Sequence, residues 1–176
     1  MPELPEVQTV VNHIKRDLIG EKLKSITPLW DKVFHNFSPS DIHKELNGKV
    51  IIDVYRRAKF IILQFNGRII AIHLRMTGKL YISSDSGHPK HCTAFIEFNS
   101  GKKLIFEEVR KFGRFYLNND LDPINHRHGP EPLDSNFTVK KFQGMLLEKK
   151  RNIKALLLDQ SFLSGLGNIY VCLLYT

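Results

Sequence analysis

Residues 60–74 read FIILQFNGRIIAIHL, and this stretch decides the fold. Two apolar, β-branched runs, Phe60–Phe65 and Arg68–Leu74, flank Asn66-Gly67, a two-residue hairpin signal. Working outward, Lys49–Tyr55, Gly78–Ile82, Thr93–Phe98, Lys103–Phe106 and Arg114–Leu117 read as further strands, and Asn99-Ser100-Gly101 reads as a turn. Ahead of them, Val7, Val10, Val11, Ile14 and Leu18 recur at helical spacing, with Pro5 suited to a first turn and Gly20 to a terminator. One amphipathic helix leading many short strands predicts a β-sandwich, or a partly open barrel, with a helix along it. The composition then shifts. Asp120–Asn136, rich in Pro, Asn, His and Gly, reads as a linker. Thr138–Lys149 and Ile153–Leu158 read as helices, and Ser164-Gly165-Leu166-Gly167 as a tight turn before Asn168 and a last apolar segment.

The chain of 176 residues is 42% hydrophobic and 25% charged, ordinary globular values that exclude disordered and collagen-like classes. At this length a chain buries roughly two-thirds of its unfolded surface and needs no disulfide framework. Two cysteines, Cys92 and Cys172, point to a reducing compartment and cannot form a four-thiolate zinc site. No apolar run approaches the roughly 18 residues of a membrane span, and MPELPEV is not a signal peptide. A soluble, cytoplasmic protein is expected. The net charge is +8. Within residues 140–154, Lys140, Lys141, Lys149, Lys150, Arg151 and Lys154 face a single acid, Glu148. That cluster is either an electrostatic footprint for polyphosphate or a solvated helix face.

Pro2 carries the sharpest chemistry. Removal of Met1 would expose a secondary amine, and α-amino groups titrate near pKa 7.7–8 against about 10.4 for lysine. Such an amine can attack an electrophilic carbon and form an iminium. Glu3 and Glu6, three apart on a first helical turn, would share a face beside it, and one could act as general acid. The same residues also fit a proline-started helix whose early acids favour its dipole.

The remaining motifs resolve this ambiguity by resemblance. MPELPEVQTV, His73-Leu74-Arg75-Met76-Thr77-Gly78, Glu108-Val109-Arg110-Lys111-Phe112-Gly113, Gly129-Pro130-Glu131-Pro132-Leu133, Ile153-Lys154 through Asp159-Gln160, and Gly165-Leu166-Gly167-Asn168-Ile169-Tyr170 together resemble the formamidopyrimidine-DNA glycosylase (Fpg) family. PELPE rather than PEGPE favours Fpg over its endonuclease VIII relatives. The resemblance implies an α+β fold: an N-terminal β-sandwich with one long helix over residues 1–131, then an incomplete all-α helix–two-turn–helix domain over 132–176. It implies excision of oxidised purines from double-stranded DNA, with Pro2 attacking C1′ of the damaged nucleotide and then releasing the sugar by elimination.

In that scheme Glu3 is the general acid, Glu6 assists positioning or proton transfer, and Lys59, expected on a strand, holds the phosphates flanking the lesion. Met76, Arg110 and Phe112 match the family's intercalation triad, which fills the hole left by an everted nucleotide. Lys111 replaces a family arginine, which weakens any bidentate phosphate contact there. Asn168, at a helix start whose backbone N–H groups suit a phosphate, and Lys154 are implied phosphate contacts, with Lys90 and His91 as weaker ones. His73 is read as structural.

Full-length members of the family continue for roughly another hundred residues and carry a four-cysteine zinc finger. The resemblance therefore implies a truncated copy with no metal or cofactor in this chain, a weakened DNA grip, and nucleoid association if bacterial. A monomer is expected, with self-association through uncovered helical surface. A non-catalytic DNA-binding remnant and an unstable product are the alternatives.

Overall fold

The computed structural model describes residues 1–175. Helix α1 (Leu4–Leu18) is followed by β1 (Leu23–Pro28), α2 (Pro39–Leu46), β2 (Asp53–Arg57), β3 (Phe60–Phe65), β4 (Arg68–His73), β5 (Lys79–Ser83), β6 (Cys92–Phe98), β7 (Lys103–Glu107) and β8 (Arg114–Asn118). Then come α3 (Asp122–Asn125), α4 (Val139–Leu147), α5 (Ile153–Leu158) and α6 (Asn168–Tyr175). The strands form two antiparallel four-stranded sheets, ordered β1-β6-β7-β5 and β2-β3-β4-β8. The architecture is the expected α+β sandwich with a long helix.

The run FIILQF is apolar at every position but Gln64 because its sheet is covered on both faces. Ile61, Leu63 and Phe65 enter the main core between the sheets, where α1 adds Val7, Val11, Ile14 and Leu18. Phe60 and Ile62 point the other way, into a smaller cluster with Ala58, Ile69, Ala71 and Ile124. Period-2 alternation is preserved, but both phases are hydrophobic. Asn66-Gly67 closes the β3–β4 hairpin as expected, Phe65 pairing with Arg68 and Gly67 taking φ +74°.

Two expectations are corrected, and two elements appear that were not expected. The strand expected from Lys49 begins only at Asp53: Val50 makes an isolated bridge with Lys22, and Ile51 N–H donates to Glu21 O. The expected linker is no loose tether, since α3 lies within it and Ile124 packs on the outer face of the second sheet. Strand β1 and helix α2 are additional elements. A register shift between Leu23 and Ser25 spaces the buried Leu23 and Ile26 three apart, which hides the strand period. Helix α2 starts on a capping box, Ser38 with Asp41, and has Pro39 in its first turn.

The C-terminal helices close over their own small core of Leu156, Leu157, Phe162, Leu163, Leu166 and Val171. Leu133, Leu173 and Leu174 stay more than half exposed around an open apolar groove, and Leu147 is exposed at the end of α4. Among the described residues, no helix is long and apolar enough to cross a membrane.

Candidate active site

The site begins where the chain begins. Pro2 is half-buried and Met1, ahead of it, is 51% exposed. Glu3 is buried at 2% exposure, and its carboxylate crosses to the far end of the sequence. Gly167 N–H donates to Oε2 at 2.6 Å and Ile169 N–H to Oε1 at 2.8 Å, with Tyr170 N–H at 3.4 Å from Oε2. Leu4 N–H donates to Gly165 O at 2.9 Å, which doubles the tie. A carboxylate at the start of α6 also complements that helix's dipole. This corrects one expectation for Asn168: much of the backbone N–H cradle beside it is occupied by Glu3. The Asn168 side chain itself is exposed, as is that of Lys154 in the first turn of α5.

Gly167 is the residue that makes this seat available. A Cβ there would lie 2.5 Å from Glu3 Cδ and 2.6 Å from Oε1. Glu6 sits one helical turn on from Glu3. Burial acts to raise its carboxyl pKa, but hydrogen bonds from Glu3 N–H (2.8 Å) and the Tyr170 hydroxyl (2.9 Å) outweigh this and hold it below the usual range. Such a group is an anchor and is poorly suited to donate a proton at neutral pH.

Lys59 lies not on a strand, as expected, but in the Ala58-Lys59 turn between β2 and β3, and it is only 5% exposed. Its ammonium makes no ion pair or hydrogen bond among the described residues. Burial pushes it below the ordinary lysine range, and the nearby Glu3 carboxylate partly offsets that. Lys59 and Glu3 are therefore brought within each other's field, although they are 56 positions apart in the sequence.

The three residues matched to the intercalation triad also converge, on two neighbouring loops. Met76 and Phe112 are exposed at 43% and 47%, unusual for large apolar side chains. The Arg110 guanidinium approaches Met76 Sδ at 3.0 Å and lies 5.0 Å from the Phe112 ring centroid. Arg75 and Lys111 take φ of +57° and +56° in these loops, conformations that cost L-residues free energy and turn the flanking side chains outward. One buried acid holds both loops. Glu108, 1% exposed, accepts from Thr77 Oγ1 at 2.7 Å, from Gly113 N–H at 2.8 Å and from Phe112 N–H. Its backbone N–H donates to His91 O at 2.9 Å, which places the exposed His91 and its neighbour Lys90 beside the same loop. Lys111 is exposed at the loop tip.

Sequence reasoning gave Glu108 no role, and an acid followed closely by Arg110-Lys111-Phe112-Gly113 was the available signal. It likewise missed Glu131, whose placement between two prolines fixes its backbone.

His73 is structural, as read. It is 8% exposed, accepts from Arg75 N–H through Nδ1 at 3.0 Å and packs edge-on against Phe60. Burial, with the positive charges of Arg75 and Lys59, pushes its pKa down to about 3. Its folded pKa thus lies below the unfolded value near 6.5. Its contribution to stability is complete above about pH 6.5 and is lost as pH falls towards 3, with a slope of up to about 1.4 kcal/mol per pH unit. Thermal melts of His73→Gln between pH 4 and 8 should show a flatter acid limb than the parent; an identical limb would contradict this.

Among the described residues, no group of three or more His, Cys, Asp or Glu is placed to hold a metal ion, Cys92 being buried in β6 and Cys172 lying on α6. The donor set does not fit the family's zinc finger.

A β-sandwich tied through its first residues to a helix–turn–helix unit, with an exposed Met–Arg–Phe cluster beside the joint, defines a recognisable class of two-part chain. Residues 1–115 match the formamidopyrimidine-DNA glycosylase N-terminal domain and residues 128–175 its H2TH domain. The chain belongs to the formamidopyrimidine-DNA glycosylase family. It is 42% identical over 174 residues to the enzyme of that name from Protochlamydia amoebophila, covering 97% of this chain and 63% of the relative. To that of Streptococcus pneumoniae serotype 4 it is 38% identical over 176 residues, covering 97% and 64%. Among solved structures it superposes on Lactococcus lactis Fpg in complex with abasic-site DNA, with a TM-score of 0.86 at 34% identity, covering 96% of this chain and 64% of that one. A complex of the same enzyme with N7-benzyl-Fapy-dG DNA gives a TM-score of 0.86 at 35% identity, covering 97% and 65%. The chain thus spans slightly less than two-thirds of the length of the relatives it matches.

Proposed function

We propose that this chain carries the catalytic end of a base-excision DNA glycosylase with abasic-site lyase activity, acting on oxidised purines in double-stranded DNA. The observation that carries the reading is the seat of Glu3: a buried carboxylate directly after Pro2, locked onto the start of α6 and within the field of Lys59. With Met1 removed, the Pro2 nitrogen attacks C1′ of an everted nucleotide and displaces the base. Glu3 sets its carboxylate beside the sugar, held in place by the helical unit, where its negative charge favours the positive charge that develops at C1′. Opening of the C1′–O4′ bond, with a proton going to O4′, converts this C1′ adduct into an iminium, which acidifies C2′–H so that the 3′-phosphate leaves by β-elimination. Lys59 places positive charge next to this centre, and Glu6 anchors the first turn through Tyr170.

Met76, Arg110 and Phe112 fill the vacated stack, an apolar wedge, a guanidinium and an aromatic ring offsetting an unstacking cost of a few kcal/mol. Arg110, Lys111, Lys90, His91, Lys154 and the Asn168 side chain supply phosphate contacts, consistent with the net charge of +8. We assign the sandwich to residues 1–131 and the helical unit to 132–175. The protein acts as a monomer, with the apolar groove of the helical unit as its surface for self-association.

A duplex carrying one formamidopyrimidine lesion tests the reading. Free damaged base should appear in a single turnover, followed by strand cleavage. Salt-sensitive duplex binding with neither base release nor cleavage would instead establish a non-catalytic DNA-binding module.

A further inference from the structure

Glu131 lies between Pro130 and Pro132, yet its carboxylate is spent on the turn that carries Lys59. Oε1 accepts from Ala58 N–H at 2.5 Å and from Arg57 Nη1 at 2.9 Å, and Oε2 from Arg56 Nη1 at 2.6 Å. The three side chains are only 9–16% exposed. Arg57 reaches further. Its five N–H donors meet Glu131 Oε1, Ser164 Oγ, His128 O, Gly129 O and Asn125 Oδ1, a set that lysine could not satisfy. Ser164 directly precedes Gly165, whose carbonyl holds Leu4 N–H beside Glu3.

The gripped turn needs a grip. Ala58 takes φ +52°, a left-handed conformation that costs an L-residue free energy and persists only where its surroundings over-determine it. Lys59 follows immediately, so relaxation of Ala58 would swing its ammonium out of the buried position beside Glu3.

We propose that Glu131 is a positioning residue for Lys59: by accepting the Ala58 N–H it fixes the left-handed turn, and through Arg57 it sets that turn against the segment that seats Glu3. This rests on the reading of Lys59 as part of the reaction centre. It goes beyond that reading by placing control of the reaction centre in the segment joining the two parts of the chain.

The test is a 13Cε-lysine NMR titration of the full chain, which reads Lys59 whether or not the chain turns over. The groups facing Lys59 are Glu3 and His73. In the parent, Lys59 should titrate below the other lysines. In Glu131→Ala it should move to the ordinary lysine range, and borohydride trapping at saturating abasic duplex should slow at least tenfold with Kd changed less than twofold. Adding Ala58→Gly, which adopts positive φ without strain, should return most of the Lys59 shift and at least a threefold gain in trapping rate. If alanine unfolds the chain, Glu131→Asp keeps a charge near the arginines but withdraws it from Ala58 N–H, with the same expectation for Lys59. A folded Glu131 variant whose Lys59 titrates like the parent's, or a loss that Ala58→Gly does not repair, would overturn the proposal. Absence of trapping in the parent would count against the proposed reaction, and the lysine titration would still decide the role of Glu131.

Discussion

Replacing Gly167 by alanine is expected to slow single-turnover base release about 100-fold while the chain still melts cooperatively. The added Cβ would lie 2.5 Å from the Glu3 carboxyl carbon, so the side chain must leave its seat on Gly167, Ile169 and Tyr170. A displacement of about 1 Å at a reacting group is enough to cost on the order of 100-fold. Lost hydrogen bonds to a charged group should also lower stability by about 2 kcal/mol. Gly144→Ala is the matched control. It sits within α4 with nothing within 4 Å of the added methyl, and should be neutral or stabilise the helix by up to about 1 kcal/mol. Equal base-release rates in the two variants would remove Glu3 from the reaction centre.

Glu108→Ala is expected to be the most destabilising single change near the Met76 and Arg110–Phe112 loops. It strands Thr77 Oγ1, Phe112 N–H and Gly113 N–H in a site where the carboxylate is 1% exposed. A buried polar group left without its partner costs about 1–3 kcal/mol, and the loss here should reach about 3 kcal/mol. At roughly 2–4 °C per kcal/mol for a chain of this size, the melting temperature should fall by about 10 °C. Because the same acid ties the Met76 loop to the Arg110–Phe112 loop, abasic-duplex affinity should drop at least about tenfold, with the arrangement proposed to fill the stack lost. Thr77→Val removes one of these bonds and should cost about 1 kcal/mol. A Glu108→Ala chain that melts like the parent would show that the loops are held by something else.

The partners of Glu3 and Glu108 were not legible in the sequence. The hairpin at Asn66-Gly67 and the α1 stripe were legible because their signals are local: a turn dipeptide and a 3.6-residue period. Strand β1 was not, because its bulge breaks the alternation and its pairing with β6 lies about 70 residues away. Helix α2 did carry a local signal, Ser38-Pro39 with Asp41, but its apolar face reduces to Ile42 and Leu46.

The site divides the same way. Pro2, Glu3, Lys59 and the Met76–Arg110–Phe112 set were found by motif. The contacts that place Glu3 and the Lys59 turn join residues more than a hundred positions apart, as in Glu3 to Gly167, or about seventy, as in Ala58 to Glu131. No period or spacing encodes such contacts. The motif reading also put Lys59 on a strand and left the α6 N–H groups open for phosphate. A tight turn beside a buried carboxylate displaced the first expectation, and Glu3 itself displaced the second.

Borohydride reduction of the protein on abasic duplex DNA, followed by peptide mapping, bears most directly on the claim that the reactive group is the imino nitrogen at position 2. The account predicts one covalent adduct, carried by the N-terminal peptide at Pro2, and none in a chain that keeps Met1. An adduct on Lys59 or another lysine, or no adduct at all once Met1 removal is confirmed by intact mass, would contradict it.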